Sequence, residues 1–311
     1  MNRFAFLLLG IALIFPPLAR GESEEVSVLT VGNSFADNAL NFLPALAEAA
    51  DRKLIAVRAN LGGCTFERHW KHVAAFEADP TSKAGSPYAN GTKSLDELLK
   101  SRKWNYVTIQ QVSFKSHDLA TYQPYADNLY RYIKERAPDA EILVHQIWAY
   151  RVDDPRFVPA NEGKEPHTHK EMYEQVRTAY HAFADKWDLD ILPSGDAMFA
   201  ADTDPVWGYK PDTEFDFKNA KKPELPNQDH SLHRGWTWMT KDEKSFLRID
   251  GHHAGRAGEY LIGCVWFEKL FGESVVGNSF VPHDIAPDYA AFLQETAHEA
   301  VAAQKVAAVA N

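Results

Sequence analysis

Short apolar runs rich in β-branched residues alternate with longer helical stretches along this chain, and that alternation limits its fold more than any other feature. The runs are Val26–Val31, Leu54–Val57, Tyr106–Ile109, Glu141–Val144 continuing to Trp148, and Leu189–Leu192. The stretches between them carry apolar residues at helical spacing: from about Asn38 through Leu40, Leu43, Leu46 and Ala47, then Phe66–Phe76, Ser94–Leu99, Tyr122–Arg136 and His169–Trp187. Helices are also expected over Ala254–Phe271 and Tyr289–Val306. Strands joined by helices imply βαβ units, hence an α/β fold: a three-layer α/β/α sandwich around a mostly parallel five-stranded sheet, flavodoxin-like in kind. A length of 311 residues, 45% hydrophobic, supports one such domain over residues 22–311.

Two segments fall outside the alternation. Residues 1–21 open with Asn2-Arg3, run apolar from Phe4 to Phe15, stop at Pro16-Pro17 and offer a small-residue site at Ala19-Arg20-Gly21. This is the layout of a cleavable signal peptide and predicts a secreted or periplasmic protein without a membrane contact after cleavage. Asp202–Lys244 holds Pro205, Pro211, Pro223 and Pro226 and shows no period. An irregular insertion of this length is commonly functional, and it directly precedes an Asp-His cluster, so it is expected to wrap over a site.

The net charge of −10 and pI near 5.7 argue against a nucleic-acid partner, and no lysine or arginine run exceeds Lys221-Lys222. Cys64 and Cys264 are too few for a disulfide framework; each is read as a small buried hydrophobe, with pairing left open.

Functional groups on open α/β sheets gather beyond the carboxyl ends of the strands. Ser34 sits there, after Gly32-Asn33, at the entry to a helix. It is a nucleophile candidate, or else Ser34 or Asn33 simply caps the helix. Asp250-Gly251-His252-His253 supplies what a serine nucleophile needs: His253 as base and Asp250 to orient it. His252, expected on a different azimuth, is the weaker candidate. The three are alternatively metal ligands, but no H-x-H or H-E-x-x-H spacing is present, and neither metal nor cofactor is expected. Gly62-Gly63 after the second strand allows a backbone N–H to face an oxyanion, and Gln110-Gln111 after the third offers a side-chain amide. The loop Asn227–His233 is read as a polar surface loop.

In this order the motifs resemble the SGNH/GDSL hydrolase superfamily. Gly32-Asn33-Ser34-Phe35 is similar to its first block, normally Gly-Asp-Ser-x. Gly63 matches the second-block glycine. Asp250 to Leu261 is similar to the fifth, Asp-x-x-His-Pro-Asn-x-x-Gly-x-x-Leu. Asn33 replaces the usual aspartate, and Gln110-Gln111-Val112-Ser113 stands where Gly-x-Asn-Asp is normal, as in secreted branches that carry Gly-Asn-Ser-Phe. The resemblance implies a serine ester hydrolase with the triad Ser34, Asp250 and His253. Its oxyanion hole would be Ser34, Gly63 and Gln111, with Asn33, Gln110 and Trp148 as substrate contacts. Acyl esters, including O-acetyl groups on carbohydrate, are the implied substrates, with Trp70, Trp148, Tyr150, Trp207, Trp236 and Trp238 available to stack on sugars. A non-catalytic carbohydrate-binding protein and an O-acyltransferase are the alternatives.

Overall fold

The computed structural model describes residues 25–157 and 166–309, with side chains to 304; residues 1–21, read above as a signal peptide, lie outside the described residues. Five strands form one all-parallel sheet: β1 (Glu25–Gly32), β2 (Lys53–Asn60), β3 (Tyr106–Ile109), β4 (Glu141–His145) and β5 (Asp190–Leu192), in the order β2-β1-β3-β4-β5. This is the expected α/β/α sandwich with its flavodoxin-like strand order. The central strands are the most continuously buried, with Val28, Leu29, Val107, Ile109 and Val144 in the core.

One helical layer comprises Leu43–Ala49, Ser194–Asp202, Arg256–Phe271 and Pro287–Val309; the other comprises Phe66–Ala78, Tyr125–Arg136 and His169–Trp187. Arg256–Phe271 is buried nearly all round, from Gly258 through Glu268, because the sheet and its neighbouring helices cover it. Its residue Trp266 meets His145 of β4 edge-on at 4.9 Å.

The insertion departs from expectation. Residues 203–232 are irregular, but β6 (His233–Lys241) pairs antiparallel with β7 (Lys244–Ala254). The hairpin stands off the main sheet and is largely exposed, so it shows no apolar alternation to read. Its turn residues, Asp242 (φ 49°) and Glu243 (φ 64°), adopt the left-handed conformation of a two-residue hairpin turn without the usual Asn-Gly signature. The loop Asn227–His233 is not uniformly on the surface: His233 is buried and its Nε2–H donates to the Ala149 carbonyl at 3.0 Å.

Candidate active site

The first helix starts at Ser34, four residues earlier than its periodicity predicts, because Asn33 caps it. The Asn33 Oδ1 accepts from the Phe35 N–H at 3.1 Å. This leaves the Ser34 N–H, an orphan of the first helical turn, without a partner among the described residues.

The Ser34 Oγ lies 2.9 Å from His253 Nε2, and His253 Nδ1 lies 2.9 Å from Asp250 Oδ2. This chain of contacts joins residues 219 positions apart. A β-bulge makes the second link possible. In the hairpin Gly235 pairs with Asp250 and His233 with Ala254, so β6 advances by two residues while β7 advances by four. The surplus residues on β7 break the strand's alternation. In a regular strand Asp250 and His253 would point to opposite faces; here their side chains meet.

The same bulge overturns the expectation for His252. Its Nδ1 lies 2.9 Å from Asp250 Oδ1, so one carboxylate serves both imidazoles. The His253 N–H also donates to Oδ1, at 3.1 Å. Burial acts to raise the Asp250 pKa, but the hydrogen bonds from His252 and His253 outweigh it and hold the carboxyl well below the usual carboxylate range. Arg234 Nη1, on an exposed side chain, stands 3.8 Å from Asp250 Oδ2. The sequence signal for His252 was adjacency alone; the shared carboxylate requires the bulge.

Several side chains hold this strand in place. Trp148 Nε1–H donates to the His252 carbonyl at 2.9 Å, and its ring stacks on Phe35 at 4.4 Å. The Arg151 N–H donates to the Gly251 carbonyl at 2.7 Å. Asn38 links the first helix to both later elements: its Oδ1 accepts from the Ala254 N–H at 3.3 Å and its amide donates to Glu259 Oε1 at 2.7 Å. Neither Asn38 nor Glu259 stands out in sequence, since a polar residue on a short helix carries no signal by itself.

Gly63 has φ 59°, and a Cβ there would meet nothing within 4 Å, so its turn is open to a ligand. The other residues expected at the site are structural. Gln111 is fully buried; its Oε1 accepts from the Phe66 N–H at 3.1 Å and the Val112 N–H at 2.9 Å, and its amide donates to the Thr121 carbonyl at 3.2 Å. It satisfies the first N–H of the helix Phe66–Ala78 and does not face Ser34 as an oxyanion donor. Gln110 bridges Asn33 Oδ1 (2.9 Å) and His145 Nδ1 (2.6 Å), and Asn33 Nδ2 donates to the Cys64 carbonyl at 3.1 Å. These two residues, like Trp148, are about 1% exposed or less, so they position the serine turn and the Gly63 turn instead of touching substrate. Tyr150 is also buried, so it is a packing residue and not a sugar platform, whereas Trp207 is partly exposed and stacks on Tyr289 at 5.2 Å. Both cysteines are free and buried, and burial pushes the Cys64 thiol up to about 12.

The Asn33 contacts explain its place. Asn33→Asp, which restores the residue usual in this motif, removes the donor to the Cys64 carbonyl and sets a carboxylate against it. The expected loss is about 1–3 kcal/mol of stability, read by denaturant unfolding; an unchanged midpoint would show the donor to be dispensable.

None of the curated proteins matches this sequence. Among solved structures, the chain is similar to a DUF4886 family protein from Bacteroides uniformis, with 24% identity and a TM-score of 0.68 over 90% of this chain and 95% of that one. It is also similar to a candidate SGNH hydrolase from Slackia heliotrinireducens (16% identity, TM-score 0.46, 79% and 98% covered). A candidate GDSL-like lipase from Parabacteroides merdae stands alongside (12%, 0.45, 81% and 98%). The first of these likenesses concerns the fold, and the fold is the one the SGNH-like blocks imply. The family described as a domain of unknown function, DUF4886, matches residues 27–212, and this chain belongs to it.

Proposed function

We propose that the protein is a serine ester hydrolase, and the unbroken relay Ser34–His253–Asp250, with both contacts at 2.9 Å, carries that reading. Ser34 Oγ attacks an ester carbonyl. His253 Nε2 takes the hydroxyl proton and later returns it to the leaving alcohol, while Asp250 holds the Nδ1–H and stabilises the imidazolium. The tetrahedral oxyanion is received by the N–H groups of Ser34 and Gly63. A non-catalytic role is disfavoured, because a scaffold kept only for binding has no need of a base in contact with both a serine and a carboxylate.

The resemblance to SGNH/GDSL enzymes supports an acyl ester, O-acetylated carbohydrate being the class we favour, and the signal-like leader supports a secreted or periplasmic site of action. A fluorophosphonate probe tests the chemistry. It is expected to add to the peptide bearing Ser34, with hydrolysis of p-nitrophenyl acetate lost in step. A Ser34→Ala protein that still hydrolyses the ester at the native rate would rule the mechanism out.

A further inference from the structure

Asp250, His252 and His253 each offer one ligand atom, and these atoms lie within 4.8 Å of one another. The sequence suggested no metal site, because neither an H-x-H nor an H-E-x-x-H spacing is present. The bulge opposite Arg234 brings them together. Two imidazole nitrogens and one carboxylate oxygen, with further positions open to solvent, form the three-ligand set that zinc(II) accepts. The mixed nitrogen and oxygen donors favour a late first-row ion over magnesium or calcium. All three side chains are 21–30% exposed, so an ion can reach them.

We propose that Asp250, His252 and His253 bind a zinc(II)-class ion, and that its occupancy switches the serine off. The site itself stands on donor geometry; the switch rests on the hydrolase reading. A carboxylate only accepts, so the neutral His253 ring keeps its proton on Nδ1, 2.9 Å from Asp250 Oδ2, and presents the Nε2 lone pair to Ser34. An ion bound at Nδ1 needs the lone pair there. The ring proton then moves to Nε2, one proton shifting within a neutral imidazole with none released. An Nε2–H facing Ser34 Oγ cannot accept the hydroxyl proton. His252 undergoes the same tautomer change, but its Nε2 takes no part in the relay. Arg234 Nη1, 3.8 Å from Asp250 Oδ2, opposes the cation, but it sits on an exposed side chain that can swing away.

Calorimetric titration of the Ser34→Ala protein with zinc chloride reads the site without reference to catalysis. One-to-one binding is expected, with affinity reduced about tenfold or more by adding His252→Ala or, as a milder replacement, His252→Gln. Near-UV circular dichroism establishes that these double variants are folded. Cobalt(II) should give a visible ligand-field band in Ser34→Ala that is absent when His252 is replaced. Absence of one-to-one binding, or affinity unchanged without His252, overturns the site. With the active protein, zinc should stop p-nitrophenyl acetate hydrolysis and EDTA should restore it. Undiminished turnover at zinc levels that saturate the titration overturns the switch and leaves the site standing. A protein with no esterase activity at all would fail the hydrolase reading while the titration remained informative.

Discussion

Asp250→Asn is expected to lower kcat for p-nitrophenyl acetate by about 10⁴-fold while the protein stays folded. The reasoning is a count of donors. Asp250 faces the Nδ1 atoms of His252 and His253 and the backbone N–H groups of both. A carboxylate has acceptor capacity on both oxygens for all of them. An asparagine has one carbonyl oxygen and replaces the other with an NH2 group. One imidazole must then turn an acceptor nitrogen toward that NH2. If His253 does so, its proton moves to Nε2 and points at Ser34, and the base is lost. If His252 does so instead, the carbonyl still serves His253 and some activity survives. The size of the loss therefore reports which histidine takes the carbonyl oxygen. Steady-state kinetics with a circular-dichroism check suffices, and a variant as active as wild type would remove Asp250 from the relay.

The second large effect concerns stability. A Cβ at Gly258 would lie 2.1 Å from the Leu232 carbonyl oxygen, a distance no methyl group can occupy. The obstacle cannot step aside easily, because Leu232 is buried and its carbonyl also accepts from the Gly255 N–H at 2.8 Å. Gly258 lies in the first turn of the helix Arg256–Phe271, and Leu232 immediately precedes β6. Gly258→Ala must push the helix off the base of the hairpin. A loss of about 3 kcal/mol is expected, which lowers Tm by roughly 5 °C for a chain of this size. Thermal unfolding checks it. A shift below about 1 °C would mean that the helix and hairpin separate freely, and the close approach would lose its structural meaning. Activity should fall along with stability, because the displaced segment leads through His233 to the strand paired with Asp250.

What the sequence revealed follows from where the physical signal was local. The sheet was legible because β1, β3 and β4 are buried on both faces, and a run such as Val26–Val31 has few other uses. Ser34, Asp250 and His253 were legible because the motif around each is contiguous. The bulge was not, since it exists only in the register between β6 and β7. Gln111 shows the same limit from the other side. An amide at a strand end looks free to meet substrate, but the unsatisfied N–H at the start of the helix Phe66–Ala78 claims it, and nothing near Gln111 in sequence announces that helix end. Trp148 and Tyr150 were offered as sugar platforms because tryptophan and tyrosine suit that task equally well as they suit a core; their burial decides between the two.

The distance in sequence between Ser34 and His253 has a consequence for the life of the chain. The proposed nucleophile follows the first strand, whereas its proposed base arrives on a hairpin 219 residues later, beyond every strand of the main sheet. No fragment that ends before that hairpin can hydrolyse an ester by this route. On that reading a nascent chain is chemically silent until it has been made and folded past Ala254. Regain of activity on refolding would accordingly be a late event, timed by the docking of the hairpin and not by the assembly of the sheet.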